Sequence, residues 1–128
     1  MPGRPIDDRV MKALTAMLGR PEHRWTVRAL ARVAGLSRAA FARRFATEVG
    51  APPLTYLTEL RLNRAAKRLT DSDASLAELA EELGYATPFA LSRAFKRRYD
   101  VAPSRFRRAA GEAPSAASNG RVRGTLAA

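Results

Sequence analysis

Residues 26–49 read TVRALARVAGLSRAAFARRFATEV, and residues 75–99 read SLAELAEELGYATPFALSRAFKRRY. The two stretches share one grammar. Each opens on a hydroxyl residue suited to cap a helix, Thr26 or Ser75, and Glu78 completes a capping box in the second. Val27, Leu30, Ala31 and Ala34 then share one helical face, as do Leu76, Leu79, Ala80 and Leu83. A glycine stops each short helix, Gly35 or Gly84. Beyond the turn, Phe41, Phe45 and Val49 recur at a spacing of four, answered by Leu91, Phe95 and Tyr99. Ser37 caps the first of these helices. Gly50 and Asp100 close the two helices, both residue types that tolerate a left-handed conformation, and Pro53 and Pro103 each open the next helix. Helix, glycine turn, helix, repeated after some 50 residues, predicts two helix-turn-helix units built on one pattern.

Outward from these units the chain is helical again. Val10, Leu14, Met17 and Leu18 follow the acidic start Asp7-Asp8 at helical spacing, and Gly19 with Pro21 ends the segment. Trp25 is placed to staple onto Leu30. Between the units, Leu54 to Leu69 carries apolar residues too widely spread for one stripe, which predicts a linker helix packed against both. Thr70-Asp71-Ser72-Asp73 reads as a polar loop, and a last short helix spans 103–110. The expectation is an all-α chain: an N-terminal arm and first helix over 1–24, a first lobe over 7–52, a linker helix over 53–70 and a second lobe over 74–110. Residues 111–128, dominated by Ala, Ser, Gly and Asn, read as a disordered tail.

The 128 residues suffice for one small domain, and 46% hydrophobic with 27% charged residues is a globular composition. The absence of cysteine excludes disulfides, thiolate metal sites and thiol catalysis, and the single histidine, His23, cannot build a metal site or a relay. No cofactor is expected. No apolar run approaches the roughly 18 residues of a membrane span and no signal peptide is visible, so a soluble, cytoplasmic protein with no membrane partner is expected. The net charge is +11, and arginines outnumber lysines twenty to three. Arginine's planar fork fits phosphates and guanine edges, which favours a nucleic-acid partner. The charge is uneven: +9 over 1–70, −2 over 71–100 and +4 over 101–128.

Helix geometry selects a face. With Phe41 and Phe45 buried, Arg43 points outward, Ala39 nearly so, and Ala42 flanks it. With Leu91 and Phe95 buried, Arg93 points outward beside Phe89, Ser92 and Arg97. Arg43 and Arg93 thus hold the same place in both copies, where a guanidinium can pair bidentately with guanine O6 and N7. Arg38 and Thr87 sit near the two helix starts, within reach of bases or phosphates. Ala39 and Ala42 can meet only a thymine methyl or allow close approach, and Phe89 either does likewise or packs on its own lobe. With Ser92, these residues and the two outward arginines are the expected base contacts. Arg44, Lys96, Arg97, Arg98, Arg105 and Arg107 flank these faces and are the expected phosphate contacts. Glu78, Glu81 and Glu82 make the first helix of the second unit acidic, a solvated face in preference to an RNA polymerase contact.

The chain from Trp25 to Arg108 resembles the DNA-binding domain of AraC/XylS-type transcription regulators. The residues carrying the resemblance are Leu30-Ala31, Gly35-Leu36-Ser37, Phe41, Phe45 and Gly50, then Tyr56-Leu57, Arg61, Ala65 and Leu69. The most specific block is Leu79-Ala80, Gly84-Tyr85, Ser92-Arg93-Ala94-Phe95-Lys96-Arg97, Pro103 and Phe106-Arg107. The resemblance implies seven helices and two lobes, with recognition helices 37–49 and 87–99 in the major groove of double-stranded DNA. The chain departs from the family pattern at Asp100, where glycine is commoner, and at Pro88-Phe89, where small or polar residues are commoner.

Most members of that family carry a separate sensor domain, for which the residues before Trp25 are too few. The expectation is therefore either a stand-alone regulator or the DNA-binding piece of a larger one, monomeric and without a small-molecule site in this stretch. An enzyme is not expected, since the DNA alkyl-repair proteins that share the module need a cysteine this chain lacks. An RNA-binding module would need an aromatic platform that the sequence does not offer. Gly3-Arg4-Pro5 has the core of a minor-groove hook, although a plain disordered terminus is favoured.

Overall fold

Each helix begins where a side chain caps its free N–H groups or a proline removes one of them. In this computed structural model, which describes residues 5–112, there are seven helices. Asp7 caps α1 (Asp8–Gly19) by accepting from the Arg9 N–H, and Thr26 caps α2 (Val27–Ala34) by accepting from Ala29. Ser37 does the same for Ala40 at the start of α3 (Arg38–Val49). Pro53 opens α4 (Pro53–Asp71). The Ser75–Glu78 capping box starts α5 (Leu76–Leu83), and Thr87 caps α6 (Pro88–Tyr99) through Ala90. Pro103 opens α7 (Pro103–Glu112). None of the described helices is long and apolar enough to cross a membrane.

The repeat survives in three dimensions. Phe41, Phe45 and the half-buried Tyr56 form an aromatic group in the first lobe, with the Phe45–Tyr56 rings edge-on at 5.7 Å. Phe95 and Phe106 stand edge-on at 5.2 Å in the corresponding places of the second lobe, with Tyr99 against both. Two apolar cores result. Leu57 of α4 enters the first, and Leu62, Ala65 and Leu69 enter the second, so one helix serves both lobes along its length. The second turn is one residue longer than the first: Gly84 to Thr87 connects α5 to α6, whereas Gly35 to Ser37 connects α2 to α3.

Three expectations shift. The linker helix runs on through Thr70 and Asp71, so these are not loop residues; the Lys67 ammonium holds the Asp71 carboxylate at 2.9 Å, one turn on. At 19 residues its length is about 28 Å at 1.5 Å per residue. Helix α7 likewise takes in Gly111 and Glu112, which the expected tail had claimed. The rest of that tail, and the Gly3-Arg4 part of the hook-like motif, lie outside the described residues. Leu18 is 39% exposed, because α1 turns Ala13 into the core beside the expected Val10, Leu14 and Met17.

Asp100 is the one non-glycine residue with positive φ among the described residues, at 70°. The left-handed region strains any residue with a Cβ, though aspartate less than most. Asp100→Gly is expected to raise stability by about 0.5–1 kcal/mol, net of glycine's greater freedom when unfolded. A urea melt reads this as a higher midpoint at unchanged slope; an unmoved or lower midpoint would mean that the aspartate is not strained.

The lobes meet at a junction built on Arg61 of α4. Its Nε donates to the Pro21 carbonyl at 2.8 Å and its Nη2 to that of His23 at 3.0 Å. The Tyr85 ring of the second lobe lies 5.6 Å from the same guanidinium. Burial lowers the Arg61 pKa and raises that of Tyr85, because each half-buried group loses part of the water that favours its charged form. Arg64 adds a bond from Nη2 to the Leu18 carbonyl at 2.8 Å. Gly84 completes the contact: a Cβ there would lie 2.7 Å from the Glu22 carbonyl oxygen and 2.9 Å from its Cα. The helix-turn-helix of the second lobe is thus pressed directly onto the 20–25 loop of the first.

Candidate nucleic-acid interface

The outward faces of α3 and α6 carry the residues that the repeat singled out. Arg38, Ala39 and Arg43 are exposed on α3, with Ala42 half-buried beside them. Phe89, Arg93, Lys96 and Arg97 are exposed on α6, with Ser92 half-buried. Arg43 and Arg93 occupy equivalent positions, each two residues after a buried core residue, Phe41 or Leu91, and two before another, Phe45 or Phe95. Neither forms an ion pair among the described residues, nor do Arg38, Lys96, Arg97 and Arg105. A guanidinium held outward without an internal partner keeps its full fork for a ligand. Thr87 is committed in part, since its Oγ1 accepts the Ala90 N–H at 3.0 Å; the hydroxyl proton remains available to a phosphate.

Three of the expected phosphate contacts have internal work. Arg44 reaches Asp7 and Glu48, both at 3.3 Å, and Glu48 also accepts the Asp7 N–H at 2.8 Å, which ties α3 to the start of α1. Arg98 lies across the Glu59 carboxylate at 2.9 and 3.1 Å. That bond raises the guanidinium's pKa. Arg107 is the most committed: it donates to the carbonyls of Leu69, Ser72 and Ala74 at 3.0, 3.0 and 2.8 Å, closing the end of α4 and the loop after it. These arginines hold the lobes in shape, and Lys96, Arg97 and Arg105 remain without an ion pair among the described residues.

On α5, Glu78 is occupied by its capping box, and Glu82 takes two bonds from Arg68 at 2.8 and 2.9 Å. Those bonds hold the Glu82 carboxyl below its ordinary pKa. Only Glu81 of the three acidic residues is left without such work among the described residues. His23 stacks edge-on against Trp25 at 4.4 Å, and the Trp25 Nε1 donates to the Arg20 carbonyl at 2.9 Å.

Residues 30–109 match the family described as a helix-turn-helix domain. A putative AraC-like transcription regulator of Streptomyces antibioticus is 42% identical over 102 residues, which is 80% of this chain and 34% of that protein. The RCS-specific HTH-type transcriptional activator RclR of Escherichia coli K12 is 37% identical over 80% of this chain and 36% of its own length. The chain therefore spans about a third of the relatives it matches. Among solved structures, the DNA-binding domain of AdpA, in complex with a target DNA, superimposes with a TM-score of 0.78. It is 30% identical, and the match covers 89% of this chain and 100% of that one.

Proposed function

Because the chain belongs to the AraC-type helix-turn-helix family, we propose that it reads double-stranded DNA as the sequence-specific binding part of a transcription regulator. Helices α3 and α6 enter the major groove, with Arg43 and Arg93 on guanines and Lys96, Arg97 and Arg105 on phosphates. The observation that carries this is the repetition of an unpaired, outward arginine at the same place in both lobes. AdpA, a neighbour of the same fold, is seen on its target DNA. Arg38, Ala39, Ala42, Thr87, Phe89 and Ser92 border the two guanidinium groups and complete the reading surface. The chain acts as a monomer, since one copy carries both reading helices, and it binds without a catalytic step. Whether it works alone or as the DNA-binding part of a larger regulator, the same surface meets the DNA.

The junction on Arg61 limits how far the lobes spread. A linker of about 28 Å falls short of the roughly 34 Å between successive major grooves on one face of straight duplex. Each lobe adds an offset, so the comparison limits the spread without setting it. Full engagement of both arginines then bends the duplex toward the protein, at a cost of order 1–6 kcal/mol that flexible pyrimidine–purine steps lower. Circularly permuted fragments in a mobility-shift assay are expected to show position-dependent migration. Uniform migration with both grooves protected would contradict the rigid junction.

Salt titration tests the DNA reading directly. Affinity is expected to fall steeply with salt, at a slope of roughly −0.9 per neutralised phosphate. Lys96→Ala and Arg97→Ala should each shallow that slope by about one unit while leaving the preferred sequence unchanged. RNA displacing duplex DNA equally well would instead favour an RNA-binding module, and unchanged slopes in both variants would leave these side chains in solvent.

A further inference from the structure

Phe89 is the most exposed large apolar residue of the described chain, at 69%, where the others reach 39–42%. It joins neither apolar core. Its ring lies in the first turn of α6, and the Arg93 guanidinium sits over it, 5.5 Å from the centroid. The pair is four residues apart on one helical face, and Thr87 and Pro88 fix the start of that face. In the first lobe the equivalent position is Ala39, and among the described residues Arg43 has no ring beneath it.

We propose that Phe89 and Arg93 act as one unit that reads a thymine beside a guanine, with Phe89 covering the thymine C5-methyl group. The inference rests on α6 lying in the major groove, as proposed above. The chemistry of the surroundings selects the occupant. Arg93, Lys96 and Arg97 lie exposed on the same helix and attract a polyanion. Within a major groove the methyl of thymine is the apolar group that a phenyl ring can meet. The ring also holds the guanidinium through its π face, which lowers the freedom the arginine must give up on reaching guanine. Four residues at 1.5 Å put the two contacts about 6 Å apart along the helix, which is one to two base-pair steps of about 3.4 Å. Since Ala39 supplies only a methyl group in the first lobe, the two lobes read different sequences. The binding site then has a direction, and the chain binds it in one orientation.

The test uses the full chain and a duplex selected by it, with each thymine in turn replaced by deoxyuridine, which lacks only the C5-methyl. One thymine within two base pairs of the guanine read by Arg93 is expected to lose about fourfold in affinity, the worth of one buried methyl-sized group. Phe89→Ala should abolish that difference, with an unchanged urea midpoint because the side chain is outside both cores. Phe89→Leu should keep the sensitivity to the methyl but lose part of the discrimination at guanine, since no ring remains under Arg93. Tolerance of deoxyuridine at every position, or an equal loss for Phe89→Ala on selected and random duplexes, would overturn the pairing. Selection of no sequence at all would overturn the DNA reading itself, and the inference with it.

Discussion

Gly84→Ala is expected to destabilise the chain by about 2–5 kcal/mol, the sum of left-handed strain and a clash with the Glu22 backbone that something must shift to relieve. Gly35→Ala, at the same place in the first lobe, is expected to cost only about 1–2 kcal/mol. The two glycines have similar backbone angles, φ of 88° and 74°. What differs is their surroundings. A Cβ on Gly35 meets nothing within 4 Å, whereas on Gly84 it would meet the backbone of Glu22 and the end of the Arg61 side chain. Arg61 can move its tip, at the expense of its bonds to the Pro21 and His23 carbonyls; the Glu22 backbone has less room to give. Urea melts of the two variants read the difference, and equal costs would mean that the lobes are not pressed together. The same Gly84 variant should lose affinity for a site that needs both lobes while keeping much of its affinity for a site that engages one.

The second large effect lies at the reading face. Arg43→Ala and Arg93→Ala are each expected to cost about 1–3 kcal/mol on the selected site, and each should relax the preference at one guanine. The two positions lie in separate lobes with separate partners, so the double variant should lose about 2–6 kcal/mol, near the sum. Neither side chain forms an ion pair among the described residues, and the Arg93–Phe89 contact lies at the surface outside both cores, so the urea midpoint should move little. Competition binding against random duplex separates the outcomes: a loss shared equally by random DNA would falsify base reading and leave phosphate contacts only.

The repeat was legible because its signals are local. Thr26, Ser37 and Ser75 can be recognised as caps from their place before an apolar period, and the spacing of four in Phe41, Phe45 and Val49 fixes which face is buried. The outward setting of Arg43 and Arg93 follows from that spacing alone. The widely spread apolar residues of α4 likewise foretold two cores sharing one helix. Leu18 misled because a helix of 12 residues admits two neighbouring stripes, and only packing against α2 and α3 chooses between them.

The junction was not legible, for a physical reason. Arg61 donates to carbonyls 38 and 40 residues away, and Arg107 to carbonyls 33, 35 and 38 residues away. A carbonyl acceptor is present at every residue, so nothing in the sequence marks those that an arginine will find. The usable signal at Arg61 is its register, one turn from the buried Leu57 and one from the buried Ala65. A charged residue in line with a buried stripe needs a partner, and here the partner is the other lobe. The same ambiguity affected Arg44, Arg98 and Arg107. Arginines that flank a reading face and arginines that brace the lobes are identical in composition and differ only in what lies across from them.

Selection of bound fragments from a random duplex pool tests the central claim most directly, that two lobes of one rigid chain read one DNA site. Wild-type chain is expected to enrich two short segments, each containing a guanine, with centres about one helical turn apart. The Arg43→Ala chain should lose the preference in one segment only, and Arg93→Ala in the other. A single enriched segment erased by either substitution, or a spacing between segments that varies freely from fragment to fragment, would contradict it.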